Sequence, residues 1–362
     1  MPKRFRQKEN TYDKTLLGLT LLLTVVGLIA VTDVSAPLAL SRFGDAYFFV
    51  KQQAIWAILG IVGLVVGYKV PYSFWKKMSG LIFIGLIVLL VAVLIPGIGT
   101  KVLGARRWIF LGFFSIQPSE IAKLVLAMFL ARLVEEKYSW WYFLGSIGLV
   151  AGLVMMQPDL GTTIVIASIG LIQLFVAGMP IIYLAGSAIA STVLAGILIL
   201  TSDYRKDRLL TFLGVTDDPL GTSYHIRQIL LALGSGGLFG VGLGQSRQKH
   251  LFLPETATDS VFAVLGEELG FVGASLIIVA LSYFVYKIMK IAIKAPDTYS
   301  KVFVAGIAAW IGGQIFLNLA SMLALAPLTG IPLPFFSYGG SSLTMVLFAV
   351  GIVLNVSKYA KE

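Results

Sequence analysis

The residues most able to do chemistry are four acids within 14 positions, Glu255, Asp259, Glu267 and Glu268. They lie in and just after Leu253-Pro-Glu-Thr-Ala-Thr-Asp259-Ser260, at the edge of a long apolar run. A helix N-terminus favours the ionised form of a carboxylate, which suits a general base. The plainer alternative is that Thr258 or Asp259 only caps the helix that follows. Glu120 and Lys123 form a second candidate, three residues apart and therefore on one helix face. Ionisable groups at membrane depth face a bundle interior or a watery cavity; structural pairing alone is the competing reading. Arg106, Arg107 and Trp108 follow Gly104-Ala105. Such arginines either clamp a diphosphate, whose geometry suits a guanidinium, or reach to headgroups beside an interfacial aromatic anchor. Asp159, in Gln157-Pro-Asp-Leu-Gly-Thr162, stands where it can cap a helix.

Other chemistries fall away. Without Cys there are no disulfides, thiol nucleophiles or Cys-ligated metals. His225 and His250 are too few for a zinc triad, and a metal site would need carboxylates from several segments. The stretch Gly234-Ser-Gly-Gly-Leu-Phe-Gly-Val-Gly-Leu-Gly244 has glycines at nucleotide-loop-like spacings. It follows no strand and lacks the Lys-Ser/Thr ending of a phosphate loop, so a re-entrant or tightly packed turn is expected instead. The net charge of +10 is not gathered into one patch. It points to membrane topology and anionic lipid rather than nucleic acid.

The elements that must position these residues are apolar. Hydrophobic residues make up 57% of the 362 and charged ones 13%, whereas a soluble domain carries about 25% charged residues. The expected fold is an all-α integral membrane protein, one domain over 1–362. Ten runs can span a bilayer, each needing about 20 mostly apolar residues. They are Leu16–Val31, Ala54–Val70, Gly80–Ile95, Ile121–Leu133, Tyr142–Met156, Leu160–Ala177, Pro180–Leu200, Leu269–Met289, Val302–Leu325 and Ser341–Val356. The fourth is long enough only if Pro118, Ser119 and Glu120 form its first turn. A β-barrel is excluded because the runs are continuous rather than alternating. A large loop, 202–268, separates runs seven and eight, with Ser223–Leu233 reading as an amphipathic helix.

Lys and Arg residues set the orientation. Lys3, Arg4, Arg6, Lys8 and Lys14 share a side with Lys69, Lys76, Lys77, Arg132, Lys137, Lys287, Lys290, Lys294, Lys301, Lys358 and Lys361. The short loops opposite hold only Arg42, Lys51, Lys101, Arg106 and Arg107. Both termini are therefore expected in the cytoplasm, with the 202–268 loop outside. No small-residue cleavage site follows the first run, which is expected to stay as an anchor.

In order along the chain stand Gly104-Ala-Arg-Arg-Trp108, Ile116-Gln-Pro-Ser-Glu-Ile-Ala-Lys123, Gln157-Pro-Asp-Leu-Gly-Thr162, Leu253-Pro-Glu255 with Asp259, Gly266-Glu-Glu-Leu-Gly270 and Leu333-Pro-Phe-Phe-Ser-Tyr-Gly-Gly-Ser-Ser342. Together they resemble the SEDS family (shape, elongation, division and sporulation proteins) over nearly the whole chain. Gly244-Gln-Ser-Arg-Gln-Lys249 and Leu354-Asn-Val-Ser357 are closer to the FtsW and SpoVE branch than to RodA. The resemblance implies a ten-helix peptidoglycan glycosyltransferase that polymerises lipid II at the outer face of the bacterial cytoplasmic membrane. It further implies a class B penicillin-binding protein, a transpeptidase, as partner. Asp259 matches the family's essential acid; Trp108, Glu120, Lys123, Asp159 and Glu255 match positions that line or support the central cavity. Ser260 departs from the pattern, since an aromatic often follows the acid.

The expected reaction is an inverting transfer between lipid-linked disaccharides, because sugar nucleotides do not reach the outer face. Asp259 would take a proton from the acceptor GlcNAc 4-hydroxyl. Arg106, Arg107 or Arg208 would stabilise the departing polyprenyl diphosphate, and a divalent cation such as Mg2+ is an open addition. The rival expectation is a lipid II flippase, for which Glu120 and Lys123 would line a conduit.

Overall fold

The computed structural model describes residues 12–102, 104–112, 114–200, 203–212, 222–250 and 252–360. The basic residues Lys3, Arg4, Arg6, Lys8 and Lys361, used above for orientation, lie outside the described residues. The chain is mostly helical. Three helices come first: α1 (Lys14–Phe43), α2 (Phe48–Lys69) and α3 (Tyr72–Ala92). Asp13 caps α1 by accepting from the Leu16 amide, and Gly44 closes it in the left-handed conformation.

An antiparallel meander follows, β1 (Thr100–Val102), β2 (Ala105–Leu111) and β3 (Phe114–Ile116), in the order β1-β2-β3. It is the exception to the all-α expectation. Its turns use Gly104 and Gly112, both at positive φ, where a side chain would be strained.

Next come α4 (Pro118–Glu135), α5 (Trp140–Met155), α6 (Leu160–Val176) and α7 (Ile181–Leu200). Pro118 sits at the start of α4, so Ser119 and Glu120 belong to its first turn as expected. The long loop holds two further helices, α8 (Asp203–Phe212) and α9 (Thr222–Ser235). The chain ends with α10 (Val261–Ile293), α11 (Thr298–Met322) and α12 (Gly340–Ser357). All ten apolar runs fall mainly on helices. The eighth starts earlier than expected, at Val261 rather than Leu269, and is broken at Gly270 (φ 67°, ψ −171°).

That break has a specific repair. A broken helix must find new partners for its freed backbone groups, since buried backbone N–H and C=O groups are nearly always paired. Val241 N and Gly242 N donate to Glu267 O and Glu268 O, at 3.0 and 3.1 Å. Phe271 N and Val272 N donate to Gly237 O and Leu238 O, at 2.9 and 3.1 Å. The Gly-rich stretch is thus a tightly packed turn laid against the break. Glycine is obligatory in it, because a Cβ on Gly240 would lie 2.0 Å from Glu268 O.

Among the described residues, six helices are long and apolar enough to cross a membrane: α1, α2, α3, α10, α11 and α12. α5 and α6 are shorter apolar helices. The interior is built from α4, α11 and α12, whose side chains are buried over most of their length. Outer helices present Leu22, Ile29, Ile58, Leu81, Ile84 and Ile189 outward. An apolar exterior around an interior that contains Glu120, Lys123, Gln314 and Asn318 inverts the water-soluble pattern and suits lipid.

Candidate active site

Asp259 ends the turn that joins the Gly-rich segment to α10. Glu255, at φ 49°, folds this turn back on itself. Its carbonyl accepts from Thr258 N and Ser260 N, each at 3.2 Å. The segment between α11 and α12 holds the turn from one side, where Tyr338 N donates to Ala257 O at 2.7 Å. From α11, Asn318 Nδ2 donates to Asp259 O at 2.9 Å and to Ile331 O at 2.8 Å. The acid therefore sits on a backbone fixed by two elements distant in sequence.

Its carboxylate is half-buried. Thr258 Oγ1 lies 3.1 Å from Asp259 Oδ1 and 3.0 Å from Glu255 Oε2, so one hydroxyl stands between two acids. Burial and the neighbouring Glu255 carboxylate push the Asp259 pKa up to about 6. Hydrogen bonds to its ionised form and the charge of Arg208 act the other way. A base poised near the working pH is the efficient kind.

Arg208 reaches this site from α8. Its Nη1 donates to Leu328 O at 2.8 Å, and its charge bears on both Asp259 and His225. His225 Nε2 lies 2.8 Å from Ser260 Oγ. Burial, with Arg208 adding to it, holds the His225 pKa down at about 4, so the ring is neutral near pH 7.

Behind the turn runs a buried polar chain. Lys123 Nζ lies 2.6 Å from Glu120 Oε1 and 2.9 Å from Gln314 Oε1. It also stands 5.3 Å from the centre of the Trp310 ring. Gln314 Nε2 donates to Pro332 O at 2.9 Å, and Asn318 is one turn further along α11. One face of α11 thus links the Glu120–Lys123 pair to the backbone of Asp259.

A second cluster lies where the meander meets α6. Arg107 donates from Nε to Gln157 O at 2.9 Å and from Nη2 to Pro158 O. Asp159 caps α6, accepting from Thr162 N at 3.0 Å and Thr162 Oγ1 at 2.9 Å, with Gln117 Nε2 at 3.5 Å. Arg106 Nη1 lies 3.4 Å from Leu94 O, and Trp108 is half-buried on β2. Ser341, at the start of α12, accepts from Gln117 N at 3.2 Å and donates to Ser115 O at 3.1 Å. The segment Leu333–Ser342 therefore touches both clusters, through Tyr338 on one side and Ser341 on the other.

The four-acid group divides. Glu255 and Asp259 stay together, whereas Glu267 and Glu268 are buried and fasten the Gly-rich segment. Glu268 Oε1 accepts from Ser246 N at 3.1 Å and pairs with Lys249 Nζ at 2.8 Å. Lys249 also pairs with Asp33 of α1 at 2.8 Å. Among the described residues no three His, Asp or Glu side chains converge on one point.

Sequence reasoning missed Gln314 and Asn318, although polar side chains inside an apolar run are themselves a signal. It also set His225 aside after testing it only for zinc. Its partner Ser260 is 35 residues away, and nothing local marks the pair.

Comparison with known proteins gives a consistent result. The FtsW/RodA/SpoVE family, described as "cell cycle protein", matches residues 13–362. Stage V sporulation protein E of Bacillus subtilis is 42% identical over 98% of this chain and 99% of its own length. A probable peptidoglycan glycosyltransferase FtsW of Trichlorobacter lovleyi is 40% identical over 98% of this chain and 95% of its own. Among solved structures, a chain of a peptidoglycan synthase complex that coordinates polymerization and crosslinking superposes with a TM-score of 0.78. It is 26% identical over 96% of this chain and 97% of that one. The rod shape determining protein RodA of Thermus thermophilus gives 0.72 at 27% identity, over 97% and 98%.

Proposed function

The chain belongs to the FtsW/RodA/SpoVE family, and from that premise we propose how its geometry serves the reaction. It is a multi-pass membrane protein and a peptidoglycan glycosyltransferase. In our reading it joins lipid II units into glycan strands at the outer face of the cytoplasmic membrane. Both termini are cytoplasmic, ten helices span the bilayer, and the 202–268 loop lies outside.

Asp259 is the general base. It removes the proton from the acceptor's GlcNAc 4-hydroxyl as that oxygen attacks the donor's anomeric carbon. The new glycosidic C–O bond forms as the bond to the polyprenyl diphosphate breaks, with inversion. The leaving diphosphate carries the departing electron pair and needs positive charge nearby. Arg208, which reaches the site from α8 with Nη1 on Leu328 O, is our candidate for this. Arg106 and Arg107 stand apart, engaged with backbone carbonyls. They serve the second cluster with Trp108 and Asp159, on the far side of the segment Leu333–Ser342. Glu255 tunes the base, while Glu120 and Lys123 support it through α11. The partner is a class B penicillin-binding protein that crosslinks the strands, a reading supported by the likeness to a chain of a synthase complex.

The observation that carries this reading is the poised carboxylate of Asp259, set on a backbone that Asn318 and Tyr338 hold through Asp259 O and Ala257 O. Its test is polymerisation of lipid II in detergent by the purified chain with its transpeptidase partner. Wild-type protein is expected to make glycan strands and Asp259→Asn none, with the same thermal melting. Strands of normal length from Asp259→Asn would remove this residue from the mechanism. Because detergent offers no compartments, turnover there also separates a transferase from a flippase.

A further inference from the structure

Ser260 occupies the N-cap position of α10, yet its side chain makes no capping hydrogen bond. A serine at that position ordinarily accepts from an amide in the first turn. Here the hydroxyl lies 2.8 Å from His225 Nε2 on α9. Ser260 has no solvent exposure, so its hydroxyl depends on a protein partner for satisfaction. The bond to His225 thus replaces both water and the helix cap.

The residue before Ser260 is Asp259. On the Asp259 side the chain is tied to α11 through Asn318 Nδ2, at 2.9 Å from Asp259 O. On the Ser260 side its side chain is tied to α9. We propose that His225 is a positioning residue for Asp259, setting the acid's direction through Ser260 and making α9 part of the catalytic framework. This rests on the reading of Asp259 as general base.

The charge that bears on the His225 ring is that of Arg208 from α8. With a pKa near 4 the ring is neutral throughout the working range. His225 therefore contributes direction and no charge. Removing it changes where Asp259 points without changing the charge around it. The acid limb of the pH–rate profile stays in place while the maximal rate falls, which separates positioning from an electrostatic role.

The experiment measures lipid II polymerisation by the full chain with its transpeptidase partner, for His225→Leu, His225→Gln, Ser260→Ala and the His225→Leu/Ser260→Ala double variant. His225→Leu and Ser260→Ala are expected to lower kcat by about ten- to a hundredfold, as for a misplaced catalytic group, with KM unchanged. The double variant is expected to be no slower than either single one, since both remove the same bond. His225→Gln, whose amide can replace the ring nitrogen, keeps most of the rate. Full kcat in both single variants, an additive double variant, a change confined to KM, or His225→Gln as slow as His225→Leu would each overturn the proposal. If His225→Leu fails to fold, Ser260→Ala against His225→Gln carries the same comparison. Asp259→Asn is run in parallel. Activity in that variant sinks the premise, whereas an inactive Asp259→Asn beside unimpaired His225 and Ser260 variants sinks only the positioning role.

Discussion

Lys123 Nζ lies 2.6 Å from Glu120 Oε1, and both side chains are almost completely buried, at 1% and 2% exposure. Such a pair is a weak source of stability, because desolvation offsets most of the attraction. Breaking it is another matter. Lys123→Met leaves the Glu120 carboxylate alone among α4 and α11, a loss of about 3–5 kcal/mol for an unpaired buried charge. The expected outcome is a strongly lowered melting temperature in detergent. Glu120→Leu combined with Lys123→Met removes both charges and should recover most of it. A double variant as unstable as Lys123→Met alone would show that the pair is held for its hydrogen bonds to Gln314 rather than for charge balance.

With Asp259 as the proposed general base, its raised pKa gives the reaction a definite pH dependence. A general base works ionised, so kcat/KM should fall as pH drops through about 6, where Asp259 takes up a proton. Neighbouring charges move this limb in opposite directions. Glu255→Gln removes a carboxylate that raises the pKa, so the limb shifts to lower pH. Arg208→Gln removes a cation that lowers it, so the limb shifts to higher pH. Rate profiles from about pH 5 to 8 for the three proteins check the order. A limb that ignores both substitutions would belong to another group.

Much of this arrangement is legible in the sequence. Long apolar runs declare their helices because a spanning segment tolerates few charges, and Pro118 announced the start of α4. Asp259 stood out because acids are scarce in such a chain. Legibility ended where long-range partners decide. Glu267 and Glu268 resembled loop residues, but Lys249 and Ser246 allow them to be buried inside α10. The meander escaped notice because Lys101, Arg106 and Arg107 interrupt any alternating pattern. Arg107 belongs to the carbonyls of Gln157 and Pro158, a partnership that spacing alone does not reveal.

Asp159 allows capping and charge to be separated. Its Oδ1 accepts from Thr162 N, and its Oδ2 is near Thr162 Oγ1 and Gln117 Nε2. Asn is as good an N-cap as Asp, whereas Ala costs about 1 kcal/mol. If the cap is the whole contribution, Asp159→Asn retains both stability and polymerisation, and Asp159→Ala loses stability alone. A rate lost in Asp159→Asn at unchanged melting temperature would instead assign the carboxylate to substrate binding.

The last prediction concerns the break in α10. Gly270 holds φ 67° and ψ −171°, a region that costs other residues about 1–3 kcal/mol. A Cβ there would also lie 2.2 Å from Gly240 N, so Gly270→Ala meets strain and a backbone clash together. Relieving the clash means pushing the Gly-rich turn away. That would strip partners from Glu267 O, Glu268 O, Phe271 N and Val272 N at the point where the helix is open. Gly270→Ala and Gly240→Ala are both expected to lower the melting temperature sharply and to reduce the yield of folded protein. Gly148→Ala on α5 is the control, because a Cβ there meets nothing within 4 Å and alanine is the better helix former. Equal stability of Gly270→Ala and Gly148→Ala would mean that α10 straightens through residue 270 without needing the turn.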